Sequence, residues 1–197
     1  MSFRVEEKLY IKDENLFNFK KFLNTKSAKS LYKPRVIESL YFDNNSFQIH
    51  NDSVEGLTPR KKIRVRNYPN NEDKKIYFEI KYSSVEGRYK TRKIIDQNEF
   101  LKKRSEGIFD NQYGLCLPKW YVNYTREYFL LNDVTISIDT NITYRNFKTD
   151  YQVRDDKIIA ELKTSINKNA DELAEEFPVP RIRFSKYCFG LEKLYYQ

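Results

Sequence analysis

The first residues of the chain alternate between apolar and charged side chains. In an extended strand, alternate side chains point to opposite faces. Over residues 3–11 the apolar positions are Phe3, Val5, Leu9 and Ile11, and the opposite positions are Arg4, Glu6, Lys8 and Tyr10. This pattern predicts a strand with one face in a core and one face of alternating charge. A sheet closed into a barrel would gather several such faces into one charged interior.

The same period of two returns along the chain, between turn residues that favour hairpins. It predicts eight antiparallel strands, at residues 3–11, 36–43, 61–68, 75–82, 88–95, 120–131, 134–144 and 157–164. Residues 26–34 are predicted to be a polar, basic loop, and residues 108–119 to be irregular. The pattern therefore predicts an α+β chain of eight antiparallel strands with a few short flanking helices.

Capping residues mark the predicted helices. Asp13 and Asp96 are predicted N-caps, and Glu99 follows Asp96 at the spacing of a capping box. A short helix or turn is predicted at 47–52, a short helix at 171–177, and a last helix from Ser185. No linker or internal repeat interrupts the pattern, which predicts a single domain over residues 1–197.

Composition narrows the classes of function. The chain has 197 residues and a net charge of +8, which indicates an anionic partner. The single histidine, His50, argues against a histidine metal cluster or a Ser-His-Asp triad. Cys116 and Cys188 form no metal-binding pattern and are predicted to be free thiols, in keeping with a reducing cytoplasm. The sequence has no apolar run long enough to cross a bilayer, and its charged start does not resemble a signal peptide.

Cations outnumber acids on the polar faces of the predicted strands. Four positions are acidic and nine are basic. The acids are Glu6, Glu79, Asp139 and Glu161, and the cations are Arg4, Lys8, Arg64, Arg66, Lys81, Lys90, Arg92, Arg126 and Lys163.

These faces have two interpretations. One is a sheet that turns its polar side to water. The other is a closed tunnel, where two like charges 4 Å apart repel by roughly 4 kcal/mol at an effective dielectric of about 20. Such a tunnel needs an anion inside, and a triphosphate or polyphosphate fits because the arginine fork matches phosphate oxygens. Glu6 and Glu161 can then hold a divalent metal, although each acid can equally form a local ion pair.

Nine short fragments, in this order along the chain, resemble the VTC domain. This is the polyphosphate polymerase branch of the triphosphate tunnel metalloenzymes, within the CYTH-like superfamily. The resemblance runs from about residue 3 to residue 190. The fragments are Arg4-x-Glu6-x-Lys8, Ser39-Leu40-Tyr41-Phe42-Asp43, Arg64-x-Arg66-x-Tyr68, Phe78-Glu79-Ile80-Lys81, Lys90-x-Arg92, Tyr124-x-Arg126-Glu127, Ile136-x-Ile138-Asp139, Ala160-Glu161-Leu162-Lys163 and Phe184-Ser185-Lys186-Tyr187.

The resemblance implies the α+β fold of an eight-stranded antiparallel closed β-barrel with a few short flanking helices. It also implies an enzyme that transfers the γ-phosphate of ATP to a growing polyphosphate chain with Mn²⁺ or Mg²⁺. It implies catalytic phosphate ligands at Lys8, Arg64, Arg66, Lys81, Lys90, Arg126 and Lys186. Further phosphate ligands would be Arg4, Arg92, Lys163 and Arg183, and the metal ligands would be Glu161 and Glu6. The expected partners are ATP, polyphosphate and a membrane protein that accepts the polymer, with no nucleic acid. The expected location is the cytoplasm, at the inner face of a membrane through that partner.

One departure from the pattern bears on the reaction. Tunnel triphosphatases and CYTH-type enzymes begin with Glu-x-Glu-x-Lys, and Arg4 replaces the first Glu here. Hydrolysis favours an acid-rich site that activates water, whereas chain extension needs alignment of polyanions and charge neutralisation. The alternatives are a tunnel triphosphatase or nucleotide cyclase, a non-catalytic polyphosphate or nucleotide sensor, and a basic nucleic-acid binder. A helix starting near Ser185 would place Lys186 at a helix N-terminus, which also favours phosphate.

Overall fold

The computed structural model describes residues 4–85, 87–165 and 169–196. They contain a large antiparallel sheet and few helices, which confirms the α+β class. The strands are β1 (Arg4–Ile11), β2 (Lys29–Asp43), β3 (Arg60–Asn67), β4 (Ile76–Ser84), β5 (Gly87–Ile95), β6 (Ile108–Asp110), β7 (Gly114–Leu131), β8 (Val134–Asn146), β9 (Gln152–Asp155) and β10 (Ile158–Ser165). The α-helices are α1 (Leu16–Thr25), α2 (Gln48–Glu55), α3 (Gln97–Glu106), α4 (Ala170–Glu175) and α5 (Lys186–Tyr195).

Neighbouring strands are hydrogen-bonded in the order β1-β10-β8-β7-β2-β3-β4-β5, with β6 added to β7 and β9 added to β8. The second edge of β1 is bonded to the segment before α5. Tyr10 N–H donates to Pro180 O, and Ile182 N–H donates to Lys8 O, each over 2.8 Å. The antiparallel sheet is thus established, and its closure into a barrel stays a prediction.

Two sequence predictions of irregular structure were wrong. The predicted loop at 26–34 is largely strand, because β2 already begins at Lys29. All six residues at 29–34 are exposed, and their sequence shows no alternation of apolar and charged side chains that would predict a strand. The segment at 108–119 contains β6 and the start of β7, which form a tight hairpin around Gly114 at φ +69°.

The helix starts were predicted with mixed success. Asp96 caps α3 as expected, since its side chain accepts a hydrogen bond from the Glu99 N–H at 2.8 Å. Asp13 does not cap α1, because a 3₁₀ turn at Asp13–Asn15 precedes the helix. Ser185 caps α5 and accepts from the Cys188 N–H. None of the described helices is long and apolar enough to cross a membrane.

The chain folds into two compact units, each built from several separate segments. The first unit comprises Met1–Val36, Tyr124–Ile142 and Arg154–Phe184, and the second comprises Ile37–Asn123, Thr143–Val153 and Ser185–Gln197. The single domain predicted over residues 1–197 therefore stays a prediction.

Each unit has its own core. In the first unit, Phe19 and Leu23 of α1 pack with the apolar faces of β1, β8 and β10. In the second unit, Trp120 packs against Tyr187 of α5, and the Cβ of an alanine at Gly190 would lie 2.6 Å from the indole nitrogen of Trp120. These cores hold the backbone of the strands that carry the charged side chains.

Candidate functional site

A row of three lysines crosses β3, β4 and β5 in the second unit. Lys62 lies directly opposite Lys81, and Lys81 lies directly opposite Lys90. Directly opposed side chains share a face, and like charges in such positions destabilise a sheet. Burial and the neighbouring arginines lower the pKa of Lys90, against the opposing effect of the Glu79 carboxylate. An anion bound over this row would relieve the repulsion.

A second row lies beside the lysines and contains one acid between two arginines. Arg64 on β3 is opposite Glu79 on β4, and Glu79 is opposite Arg92 on β5. Glu79 Oε2 accepts from Arg64 Nε at 2.8 Å, while its Oε1 lies 3.2 Å from Lys90 Nζ and 3.1 Å from Arg92 Nε. Only 1% of the Glu79 side chain is exposed. One buried carboxylate therefore holds three cations in place.

The pKa of Glu79 reports this arrangement. Burial alone would raise it, but the charges of Arg64, Arg66 and Lys90 lower it from 4.5 to about 2. A carboxyl whose pKa is lower in the folded chain stabilises the fold above its unfolded pKa. That contribution is fully present above pH 4.5 and is lost as the pH falls toward 2.

We expect Glu79→Gln to lower the free energy of unfolding at pH 7 by about 3 kcal/mol, from 1.36 kcal/mol per pKa unit. Urea unfolding of both proteins at several pH values measures the loss, which should shrink as the pH falls below 4.5. Tripolyphosphate should restore part of the stability of the variant, because it neutralises the same cations. Glu106→Gln, at an exposed position on α3, is the matched control. A loss that does not change with pH would contradict this account.

Neutral side chains also orient two of the arginines. Arg64 Nη1 donates to the Tyr41 hydroxyl at 2.9 Å, and Arg66 Nε donates to Ser39 Oγ at 3.0 Å. Burial opposes ionisation of Tyr41, but the charges of Arg64, Arg66 and Lys62 lower its pKa to about 8. Both arginines are buried, and these hydrogen bonds hold them in fixed orientations.

Arg92 is fixed by two tyrosines at the edge of the same face. Its guanidinium carbon lies 3.6 Å from the centre of the Tyr77 ring, and its Nη2 donates to the Tyr68 hydroxyl at 3.2 Å. Stacking of this kind holds a planar guanidinium in one orientation.

The start of α5 is tied to this unit through Asp43. The Asp43 carboxylate is fully buried and accepts from the Tyr187 hydroxyl at 2.6 Å and from the N–H groups of Ile49 and His50 at 3.1 Å. Its burial raises its pKa. Lys62 Nζ donates to Ser185 Oγ at 2.8 Å, just before Lys186 opens the helix. Asp43 therefore positions the helix end that carries Lys186.

The first unit holds a separate cluster in which acids and cations alternate. Arg126 forms a two-pronged ion pair with Asp139, with Nε–Oδ1 at 2.5 Å and Nη2–Oδ2 at 2.7 Å, and its Nη2 also lies 3.1 Å from Glu161 Oε2. Asp139 is fully buried. Burial would lower the pKa of Arg126, but the charge of Asp139 raises it well above its ordinary value. The guanidinium group of Arg126 is thus held by the carboxylates of Asp139 and Glu161.

Glu6 and Glu161 form a carboxyl pair on neighbouring strands. Lys163 Nζ lies 3.4 Å from Glu6 Oε1 and 3.3 Å from Glu161 Oε1, so one ammonium group lies against both carboxyl groups. Burial would raise the pKa of Glu161, but hydrogen bonding to Glu6 and the charges of Lys163, Arg126 and Lys8 lower it well below its ordinary value.

The carboxyl pair offers oxygen ligands to a metal ion. Hard divalent cations prefer carboxylate oxygens, and Lys163 holds the two carboxyl groups close together. The described residues contain no group of three or more His, Cys, Asp or Glu side chains placed to hold a metal. The pair therefore fits a cation that takes its remaining ligands from substrate or water.

Comparison with known proteins decides the family. The family model of the VTC domain matches residues 3–195. The chain belongs to the VTC domain family. No curated protein matches it.

Solved structures share the CYTH-like fold of this VTC domain. A protein described as a candidate adenylate cyclase from Bacillus halodurans is 11% identical, covers 98% of both chains and has a TM-score of 0.67. A similarly described protein from Vibrio parahaemolyticus is 12% identical over 93% of this chain and 95% of its own, with a TM-score of 0.58. A conserved hypothetical protein from Pyrococcus furiosus is 21% identical, covers 88% and 84%, and has a TM-score of 0.51. At these identities the likeness shows the fold alone.

The site residues predicted from the sequence lie in both units of this VTC domain. Those in the first unit are Glu6, Lys8, Arg126, Glu161, Lys163 and Arg183, and those in the second are Arg64, Arg66, Lys81, Lys90, Arg92 and Lys186. Lys8 Nζ donates to Phe184 O at 2.5 Å, and Arg183 lies on the segment before α5. The side chain of Arg4 lies outside the described residues.

Sequence reasoning missed several members of this site. Lys62 was left out of the predicted ligands although it shares its strand face with Arg64 and Arg66, and this parity could have identified it. Tyr41 lies in a fragment of the family pattern, but its bond to Arg64 depends on pairing between strands that are separate in sequence. Nothing in the sequence singled out Asp43 as the anchor of α5.

Proposed function

We propose that this VTC domain is an ATP-dependent polyphosphate polymerase. It binds ATP through the basic rows of β3, β4 and β5 and transfers the γ-phosphate to the end of a polyphosphate chain. The family implies phosphate and triphosphate handling. The observation that carries the proposal is the lysine row next to the arginine row, where five cations surround a single carboxylate on adjacent strands. The closed eight-stranded barrel is part of this proposal.

The chain's own residues would align two phosphate chains. The guanidinium groups of Arg64 and Arg66 are held by Tyr41 and Ser39. They can therefore bind phosphate oxygens with little further loss of conformational entropy. The lysine row would neutralise the charge spread over the transferred group. Phosphoryl transfer depends mainly on such positioning and charge stabilisation.

The state of the acids favours extension over hydrolysis. Glu79 is bound to Arg64, Lys90 and Arg92, and Asp139 is bound to Arg126. A carboxylate held by cations is a poor base for activating water. The attacking oxygen of a polyphosphate end is already ionised and needs no base.

Glu161 and Glu6 would hold the divalent cation, Mn²⁺ or Mg²⁺. Bound there, the cation would supply charge neutralisation at phosphate oxygens. Lys163 lies against both carboxyl groups and would keep the pair in position. A membrane protein that accepts the polymer, and a cytoplasmic location beside it, stay predictions.

Product analysis tests the proposal. The protein is incubated with ATP and Mn²⁺, and each sample is read on a gel stained for polyphosphate and assayed for free phosphate. A ladder or smear that grows with time is expected, together with release of ADP and little free phosphate. Free phosphate without polymer would assign the protein to the triphosphatases. Stabilisation by added polyphosphate without turnover would make it a sensor.

A further inference from the structure

A basic arm lies in the first unit, outside the candidate site. We give this name to residues 26–35, which include the exposed first part of β2. Between Asn15 and Ile37 the sequence has six cations and no acid, which is most of the net charge of +8. The cations are Lys20, Lys21, Lys26, Lys29, Lys33 and Arg35.

The arm presents its charge in a line. Lys29, Lys33 and Arg35 share one parity of a β-strand, where side chains two residues apart are about 6.6 Å apart, so Lys33 and Arg35 are neighbours and Leu31 lies between Lys29 and Lys33. Residues 29–34 are all exposed. Lys20 is paired with Glu127 at 2.6 Å, but no ion pair of Lys29 or Lys33 is seen within the part of the chain that the structure describes. An exposed line of cations matches a linear polyanion.

The aromatic residues beside the arm limit the kind of polyanion. The Arg35 guanidinium lies 4.3 Å from the centre of the Tyr32 ring and 5.7 Å from that of Tyr128. The two rings meet edge to face, with centroids 5.5 Å apart at 88°. These contacts cover part of the ring surface on which the bases of a nucleic acid would stack. Leu31 is the only other large apolar side chain exposed on the described arm. The arm therefore offers little apolar surface for insertion into a lipid bilayer.

We propose that the basic arm is a second polyanion site, which binds the polyphosphate chain away from the phosphate that reacts. The choice of polyphosphate as the occupant rests on the proposed function. Binding there would hold a long chain near the enzyme while leaving short substrates unaffected. The arm would thus select for chain length and would keep a growing polymer attached between transfers.

The test compares two triple variants of the full chain. Lys26→Gln, Lys29→Gln and Lys33→Gln remove the charge of the arm. Lys12→Gln, Lys102→Gln and Lys148→Gln remove the same charge from exposed lysines elsewhere. Affinity is measured for long-chain polyphosphate, tripolyphosphate, duplex DNA, and vesicles of phosphatidylserine and phosphatidylcholine, each over a range of salt.

The arm variant should bind long-chain polyphosphate at least about 10-fold more weakly, and its salt slope should fall by about two to three, one for each lost phosphate contact. Its affinity for tripolyphosphate should not change. Wild-type affinity of the arm variant for long chains, or an equal loss in the control variant, would overturn the proposal. So would a loss confined to DNA or to vesicles. The binding measurements are then repeated in an Arg64→Ala background. Long-chain polyphosphate should still bind to the arm there, because this binding does not require turnover.

Discussion

Arg64→Ala is expected to lower the rate of polymer formation by at least about 100-fold, the usual effect of removing a fixed donor from a charge-stabilising site. Glu79 and the Tyr41 hydroxyl hold the Arg64 guanidinium in one orientation. A donor held in this way stabilises developing charge without reorganising, which is why its loss should act mainly on kcat. Initial rates at several ATP concentrations separate the effect on kcat from that on KM.

Two companion variants make the result on Arg64 specific. Arg64→Lys keeps the charge but loses the fork, so we expect an intermediate rate if bidentate contact with phosphate matters. Arg154→Ala removes an exposed arginine, 69% of whose side chain is accessible, and should leave the rate unchanged. Thermal unfolding should show that each variant is folded at the assay temperature. A rate within about two-fold of wild type for folded Arg64→Ala would rule out this residue as a phosphate ligand.

Glu161→Gln is expected to abolish the response to manganese and to reduce turnover by about 100-fold or more, since a catalytic cation supplies several kcal/mol of charge stabilisation. The pKa of Glu161 is held well below its ordinary value, so this carboxylate is ionised and ready for a cation at neutral pH. The affinity for manganese should therefore change little with pH near neutrality in the wild type.

Direct binding gives this prediction a readout besides activity. Titration of Mn²⁺ against the protein, followed by electron paramagnetic resonance or calorimetry, should show a strong loss of affinity in Glu161→Gln. Glu127→Gln is the matched control. Glu127 is a half-buried acid next to Arg126 on β7, but it pairs with Lys20 and is not a predicted metal ligand. Unchanged manganese affinity in folded Glu161→Gln would mean that the cation is held elsewhere.

The strands could be predicted from the sequence because apolar and charged side chains alternate along them. In β3, Ile63 and Val65 lie in the core and Arg64 and Arg66 lie on the opposite face, as the period of two requires. The first part of β2 could not be predicted, because residues 29–34 are mostly polar or basic and show no alternation of apolar and charged side chains. Alternation identifies a strand only where one of its faces carries apolar side chains.

The candidate site could be predicted in composition but not in pairing. The sequence placed Glu79 and Arg92 on polar faces, yet the strand register alone decides that one carboxylate meets Arg64, Lys90 and Arg92 together. The same register makes Lys62 the third member of the lysine row. Contacts between residues far apart in sequence, such as the one between Asp43 and Tyr187, leave no local signal.

The central claim is that the rows on β3, β4 and β5 bind phosphate, and a structure of the protein with tripolyphosphate and Mn²⁺ tests it most directly. We expect the phosphate groups to lie against Arg64, Arg66 and the lysine row, with Glu79 still behind Arg64. Phosphate bound elsewhere, with these side chains in contact only with protein, would contradict the account.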